Sequence, residues 1–95
     1  MSKYNYFQEI LIDEYDFPTT PQVDFGFMSQ GIALLNRGSF TIVYSFNGTD
    51  EHGDLRSDDA SAGIIFDNRL ESKVWFKAKG GYGSVRVEAW GQWGR

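Results

Sequence analysis

Apolar and polar positions alternate most strongly in two runs, residues 40–48 (FTIVYSFNG) and 72–90 (SKVWFKAKGGYGSVRVEAW). Successive side chains of an extended chain point to opposite faces. Phe40, Ile42, Tyr44 and Phe46 therefore share one face, and Thr41, Val43 and Ser45 the other. Val74 and Phe76 repeat the pattern with Lys73, Trp75 and Lys77 opposite them; Val85, Val87 and Ala89 do so with Arg86, Glu88 and Trp90 opposite. The three strands predict one shared apolar layer. Their outer positions carry two indoles, Trp75 and Trp90, which that layer does not use.

The rest of the chain adds shorter elements. Residues 7–14 read as a strand with Ile10 and Ile12 on one face and Leu11 on the other, or as two turns of helix. Pro18 and Pro21 make residues 16–21 a connector. Residues 22–28 alternate again, with Val23, Phe25 and Phe27 inward and Asp24, Gly26 and Met28 outward. Residues 29–31 turn the chain, and 32–36 are apolar on both faces, which suits a central or covered strand. A tight turn at 36–39 leads into the strand from Phe40. Residues 47–61 are the one long polar stretch, with Leu55 their only large apolar residue; they read as an exposed loop or a two-limbed excursion. Residues 62–66 return as a strand with Ala62, Ile64 and Phe66 together, 67–69 turn, and 80–83 form a hairpin link. The expectation is an all-β, single-domain antiparallel β-sandwich or jelly roll of about seven strands. Residues 1–22 form an N-terminal segment, an arm or an edge strand, and residues 23–95 the sandwich.

Composition agrees with that reading. A chain of 95 residues closes one core. Eleven glycines, two prolines and a 17% aromatic share suit short strands and tight turns. The absence of cysteine removes disulfides, thiolate metal sites and a cysteine nucleophile together. The start, MSKYNYFQEILIDEYDF, is interrupted by Glu9, Asp13 and Glu14 and lacks the pattern of a signal peptide. No apolar run is long enough to cross a membrane, so the expectation is a soluble protein made in the cytoplasm. A net charge of −4 argues against general affinity for nucleic acid. The charge is uneven: residues 1–24 hold Glu9, Asp13, Glu14, Asp16 and Asp24 against Lys3, and residues 69–95 hold Arg69, Lys73, Lys77, Lys79, Arg86 and Arg95 against Glu71 and Glu88. These are solvated faces, or surfaces of opposite sign that meet between copies.

Candidate chemistry is sparse. Asp50, Glu51, Asp54, Asp58 and Asp59 are dense, but their spacing does not match a helix-loop-helix calcium loop, and a solvated acidic loop accounts for them better. His52 is the only histidine and has no ligand companions, so a local hydrogen bond in a turn suits it better than catalysis. Glu71 and Glu88, on what read as neighbouring strands, are the candidate carboxylate pair, but they sit among bases with no identifiable cleft. No catalytic, cofactor or metal residue is assigned, and the protein reads as a non-enzyme. The functional signal lies in the aromatics. Trp75 and Trp90 read as protein-interface anchors, with Lys73, Lys77 and Arg86 as their charged rim. The alternative is a carbohydrate platform of Trp75, Tyr82, Trp90 and Trp93. A third reading has the second sheet or the N-terminal segment covering the indoles.

The segments SFNG (45–48), HGDL (52–55), FDNR (66–69), SKVWF (72–76) and VRVEAW (85–90) resemble a group of small, acidic, all-β proteins encoded among bacteriophage virion genes. The resemblance spans Val23 to Trp90. It implies a structural component of the particle: a capsid decoration or cement protein, or part of the neck or tail. The implied partners are other copies of the chain and other virion proteins, among them the major capsid protein, with no nucleic acid or membrane. The implied location is the virion, after synthesis in the host cytoplasm. A host-receptor-binding tip would combine the assembly and carbohydrate readings.

Overall fold

The computed structural model describes residues 5–57 and 62–91. Among these residues eight strands follow one another: β1 (Asn5–Ile12), β2 (Val23–Asp24), β3 (Gly31–Asn36), β4 (Thr41–Ser45), β5 (Gly53–Leu55), β6 (Gly63–Phe66), β7 (Lys73–Lys79) and β8 (Gly83–Trp90). They form two four-stranded antiparallel sheets, ordered β1-β8-β3-β6 and β2-β7-β4-β5. This is the layered arrangement of a β-sandwich.

The pairing is nested. Strand β4 pairs with β5, β3 with β6, β2 with β7 and β1 with β8, as if one long hairpin had been rolled up. Two consequences correct the sequence reading. The links at 36–39 and 80–83 are not hairpins; each carries the chain from one sheet to the other. Among the described residues the strand count is eight, because Gly53–Leu55 pairs with β4 inside the stretch that reads as a polar loop. Residues 5–12 are a strand and not a helix, and all eight pair with β8. The strand expected over 22–28 stops at Asp24, near Gly26 with its φ of 81°.

The inward faces close one core between the sheets. Val85, Val87, Ala89, Ile32, Leu34 and Ile12 meet Val74, Phe76, Ala78, Ile42, Tyr44 and Leu55 across it. Burial pushes the phenols of Tyr6 and Tyr44 above their ordinary pKa. Phe40, expected inward, precedes β4 and is 41% exposed, with its ring against Gly81 in the link to β8.

Buried Asn36 ties the core to the turn beyond it. Its Nδ2 donates to the Phe40 and Leu55 carbonyls, both at 2.8 Å, and its Oδ1 accepts from the Gly38 N–H at 2.8 Å. Asn36→Asp removes both donors and sets a carboxylate against two carbonyl oxygens, so a loss of about 2–3 kcal/mol is expected. Urea denaturation reads it; an unchanged midpoint would show that the site relaxes without this network.

Candidate functional site

The structure separates the residues singled out from sequence. Trp75, Lys73 and Lys77 lie on the outer face of β7, and Trp90 and Arg86 on the outer face of β8. Strands β7 and β8 belong to different sheets, so the two indoles look out from opposite sides of the sandwich. Tyr82 is exposed in the link between those strands, and Trp93 lies outside the described residues. Alternation in the sequence puts each indole on an outer face; it does not say whether the two outer faces are the same one.

Each indole is half-buried over a glycine of its own chain. The Trp75 ring covers Gly48, where a Cβ would come within 2.8 Å of it, and the Trp90 ring covers Gly31. Gly48 lies in the link between β4 and β5, and Gly31 opens β3 directly beside Trp90 of β8. Two of the three rim cations have partners within the chain. Lys77 Nζ is 2.7 Å from the Glu51 carboxylate and 4.7 Å from the centre of the Phe17 ring. Arg86 lies 2.9 Å from Glu88 and 4.8 Å from the Phe7 ring centre, while Lys73 stays exposed.

The hydrogen bond from Lys77, and then its charge, hold the Glu51 carboxyl below its ordinary value of 4.5. A depressed carboxyl favours the fold above its unfolded pKa, and that contribution fades as pH falls through the folded value. Glu51 is exposed, so the effect on stability is small. In Lys77→Met the Glu51 titration, followed by NMR, should move back up towards its ordinary range. An unmoved titration would mean that another group holds it.

The candidate chemical residues have structural roles. His52 Nδ1 accepts the Phe46 N–H at 3.0 Å, and its ring packs 5.5 Å from that of Phe46. Glu71 is not on a strand neighbouring that of Glu88: it precedes β7, paired with Arg69 at 3.2 Å, whereas Glu88 is on β8 in the other sheet. Asp50 accepts from Asn47 Nδ2 at 2.8 Å, and Asp54 faces Arg56 at 4.0 Å. Among the described residues no group of three metal-binding side chains comes together. Asp58 and Asp59 lie outside them.

Four of the segments that carry the resemblance interlock near one end of the sandwich. The Phe46 ring of SFNG meets His52 of HGDL and, at 5.5 Å, Phe66 of FDNR; the Arg69 guanidinium lies 4.3 Å above it. The Gly48 of SFNG, at φ 79°, lies under Trp75 of SKVWF. These residues build the fold.

The feature that sequence reasoning did not assemble is the outer face of the β1-β8-β3-β6 sheet. Strand registry places Phe7 and Leu11 of β1 on one side of the Arg86–Glu88 pair, and Ala33 and Leu35 of β3 and Ile65 of β6 on the other. Phe7, Leu11 and Ile65 are each at least 60% exposed. Beside the ion pair lies an open groove of about 480 Å³, whose walls include Ala33, Leu35, Ile65, Arg86 and Glu88. The signal for it was the run 32–36, apolar on both faces: one face fills the core, and the other has no layer of this chain above it among the described residues.

Neither a protein-family model nor a curated protein matches this chain.

Proposed function

We propose that this chain is a non-enzymatic structural subunit of a bacteriophage particle. It is an oligomeric jelly roll that binds the capsid as a decoration or cement protein, or joins neighbouring neck or tail proteins. The nested pairing of eight strands supports the jelly-roll reading, a fold used by viral capsid and lectin domains. Fold alone does not assign function. The observation that carries the proposal is the outer face of the β1-β8-β3-β6 sheet. Its exposed apolar side chains, Phe7, Leu11 and Ile65, stand around the Arg86–Glu88 pair and around Glu9, which accepts from the Ser84 hydroxyl, and this mixture suits burial against a protein surface better than turnover of a substrate. The five segments resembling virion proteins point the same way.

The mechanism is additive. Each copy buries its apolar strips against the particle, and many copies together hold the shell or joint through mass action. The subunit folds in the host cytoplasm and works on the virion. Trp75, Trp90, Lys73, Lys77 and Arg86 contribute as two separate surfaces, one on each side of the sandwich.

Quantitative mass spectrometry of gradient-purified phage particles, from cells expressing the phage that encodes this chain, tests the reading. The expected result is many copies per particle. Its absence from intact particles, together with saturable sugar binding on a glycan array, would replace this reading with the carbohydrate-binding one.

A further inference from the structure

We infer that the open edge of β6 is where two copies of this chain join, by antiparallel pairing of β6 with β6 of the second copy. This rests on the assembly reading and gives it a partner and a contact.

The two sheets have four edge strands, and β6 is the one that carries no charged side chain. An exposed edge strand offers unpaired backbone groups to any other strand, and proteins blunt such edges by shortness or charge. Strand β2 is two residues long and carries Asp24; β5 is three residues long, with Asp54 at its centre. Strand β1 is longer, but polar Asn5, Gln8 and Glu9 interrupt it. Strand β6 is Gly-Ile-Ile-Phe, with no charge and no proline.

The backbone of β6 defines which groups are free. The Asn36 N–H donates to the Ala62 carbonyl at 2.7 Å, which fixes the phase of the β3–β6 ladder. Antiparallel pairing turns alternate residues to opposite sides. Ile64 and Phe66 therefore face β3, and the N–H and C=O groups of Gly63 and Ile65 face outward, without partners among the described residues.

Those four groups match their own copy. Setting Gly63 opposite Ile65 of a second chain, with the two-fold axis passing between the Ile64 pair, gives every one of them a partner in four hydrogen bonds. An isologous contact requires this self-complementarity. The side chains agree with it: Ile65, 66% exposed, comes to lie beside a glycine of its copy at the rim of the groove. The β6 strand itself brings no charged side chain to the contact. The joined sheet runs through eight strands, and the apolar outer faces of both copies then lie on the same side.

Light scattering over a dilution series tests the pairing. The Ile65 N–H points away from β3, so Ile65→Pro removes an edge donor and leaves the β3 ladder whole. Wild type is expected to dimerise; Ile65→Pro should keep the wild-type circular dichroism spectrum and raise the dimer dissociation constant by about tenfold or more. Ile64→Pro, whose N–H serves β3, should instead lower thermal stability. Should Ile65→Pro fail to fold, Ile65→Lys sets like charges near each other across the two-fold axis and is expected to give monomer. A wild-type protein that stays monomeric from micromolar to millimolar concentration overturns the pairing, as does a folded Ile65→Pro or Ile65→Lys that dimerises like wild type. A monomer that still enters particles would overturn the pairing alone and leave the assembly reading standing.

Discussion

Phe76→Ala is expected to remove a large part of the protein's stability in one step. Among the described residues Phe76 is the largest fully buried side chain, at the centre of β7 and packed in the core between the two sheets. Truncating a buried phenylalanine costs about 3–5 kcal/mol, from lost transfer energy and from the cavity left behind. A domain of this size has a total stability of about 5–15 kcal/mol, so the loss is a large part of the total. Leu70→Ala, at a position 67% exposed, provides the control and should change little. Urea denaturation of both variants decides the matter. Similar midpoints for the two would mean that the core closes over the missing ring or does not depend on it.

The second large effect is on assembly and not on folding. Phe7 and Leu11 stand on the outer face of β1, both exposed, and neither belongs to the core. Phe7→Ser with Leu11→Ser should therefore leave the unfolding midpoint close to that of wild type. Burying an apolar side chain of this size contributes about 1.5–3 kcal/mol, and each 1.4 kcal/mol is about a factor of ten in affinity. Incorporation into particles, followed by competition with wild-type protein, should fall by about a hundredfold. Equal incorporation of the double variant would remove β1 from the docking face. Equal loss of folding would show that these side chains serve the fold.

What could be read from the sequence follows from the range of each interaction. Strands β7 and β8 were legible because Val74, Phe76, Val85, Val87 and Ala89 alternate with polar or aromatic residues, and alternation is a local property. Strand β5 was not legible: in Gly53–Leu55 only Leu55 is apolar, and pairing with β4 makes the strand. Turn chemistry at 36–39 and 80–83 announced a reversal. It did not distinguish a hairpin from a crossing between sheets, which depends on partners more than forty residues away, as in the pairing of β3 with β8 and of β1 with β8. The same gap dispersed the proposed tryptophan site. Trp75 and Trp90 are each outward, as their neighbours in sequence require, yet sheet membership puts them on opposite sides.

The outer face of the β1-β8-β3-β6 sheet shows the converse. Phe7, Leu35 and Ile65 come from three parts of the chain, and each alone is an unremarked surface residue. Registry through β8 and β3 brings them onto one side of one sheet. An apolar run on both faces of residues 32–36 was the one local sign of the apolar outer side of this strand.

Hydroxyl-radical footprinting of the free and the particle-bound protein tests the central claim most directly, that the outer face of the β1-β8-β3-β6 sheet is the surface buried on assembly. The account predicts protection of Phe7, Leu11 and Leu35 on the particle, while Tyr82 and Leu70, in the links between strands, keep their reactivity. Unchanged reactivity at Phe7, Leu11 and Leu35, with protection at Tyr82 or on the Trp75 face instead, would contradict it.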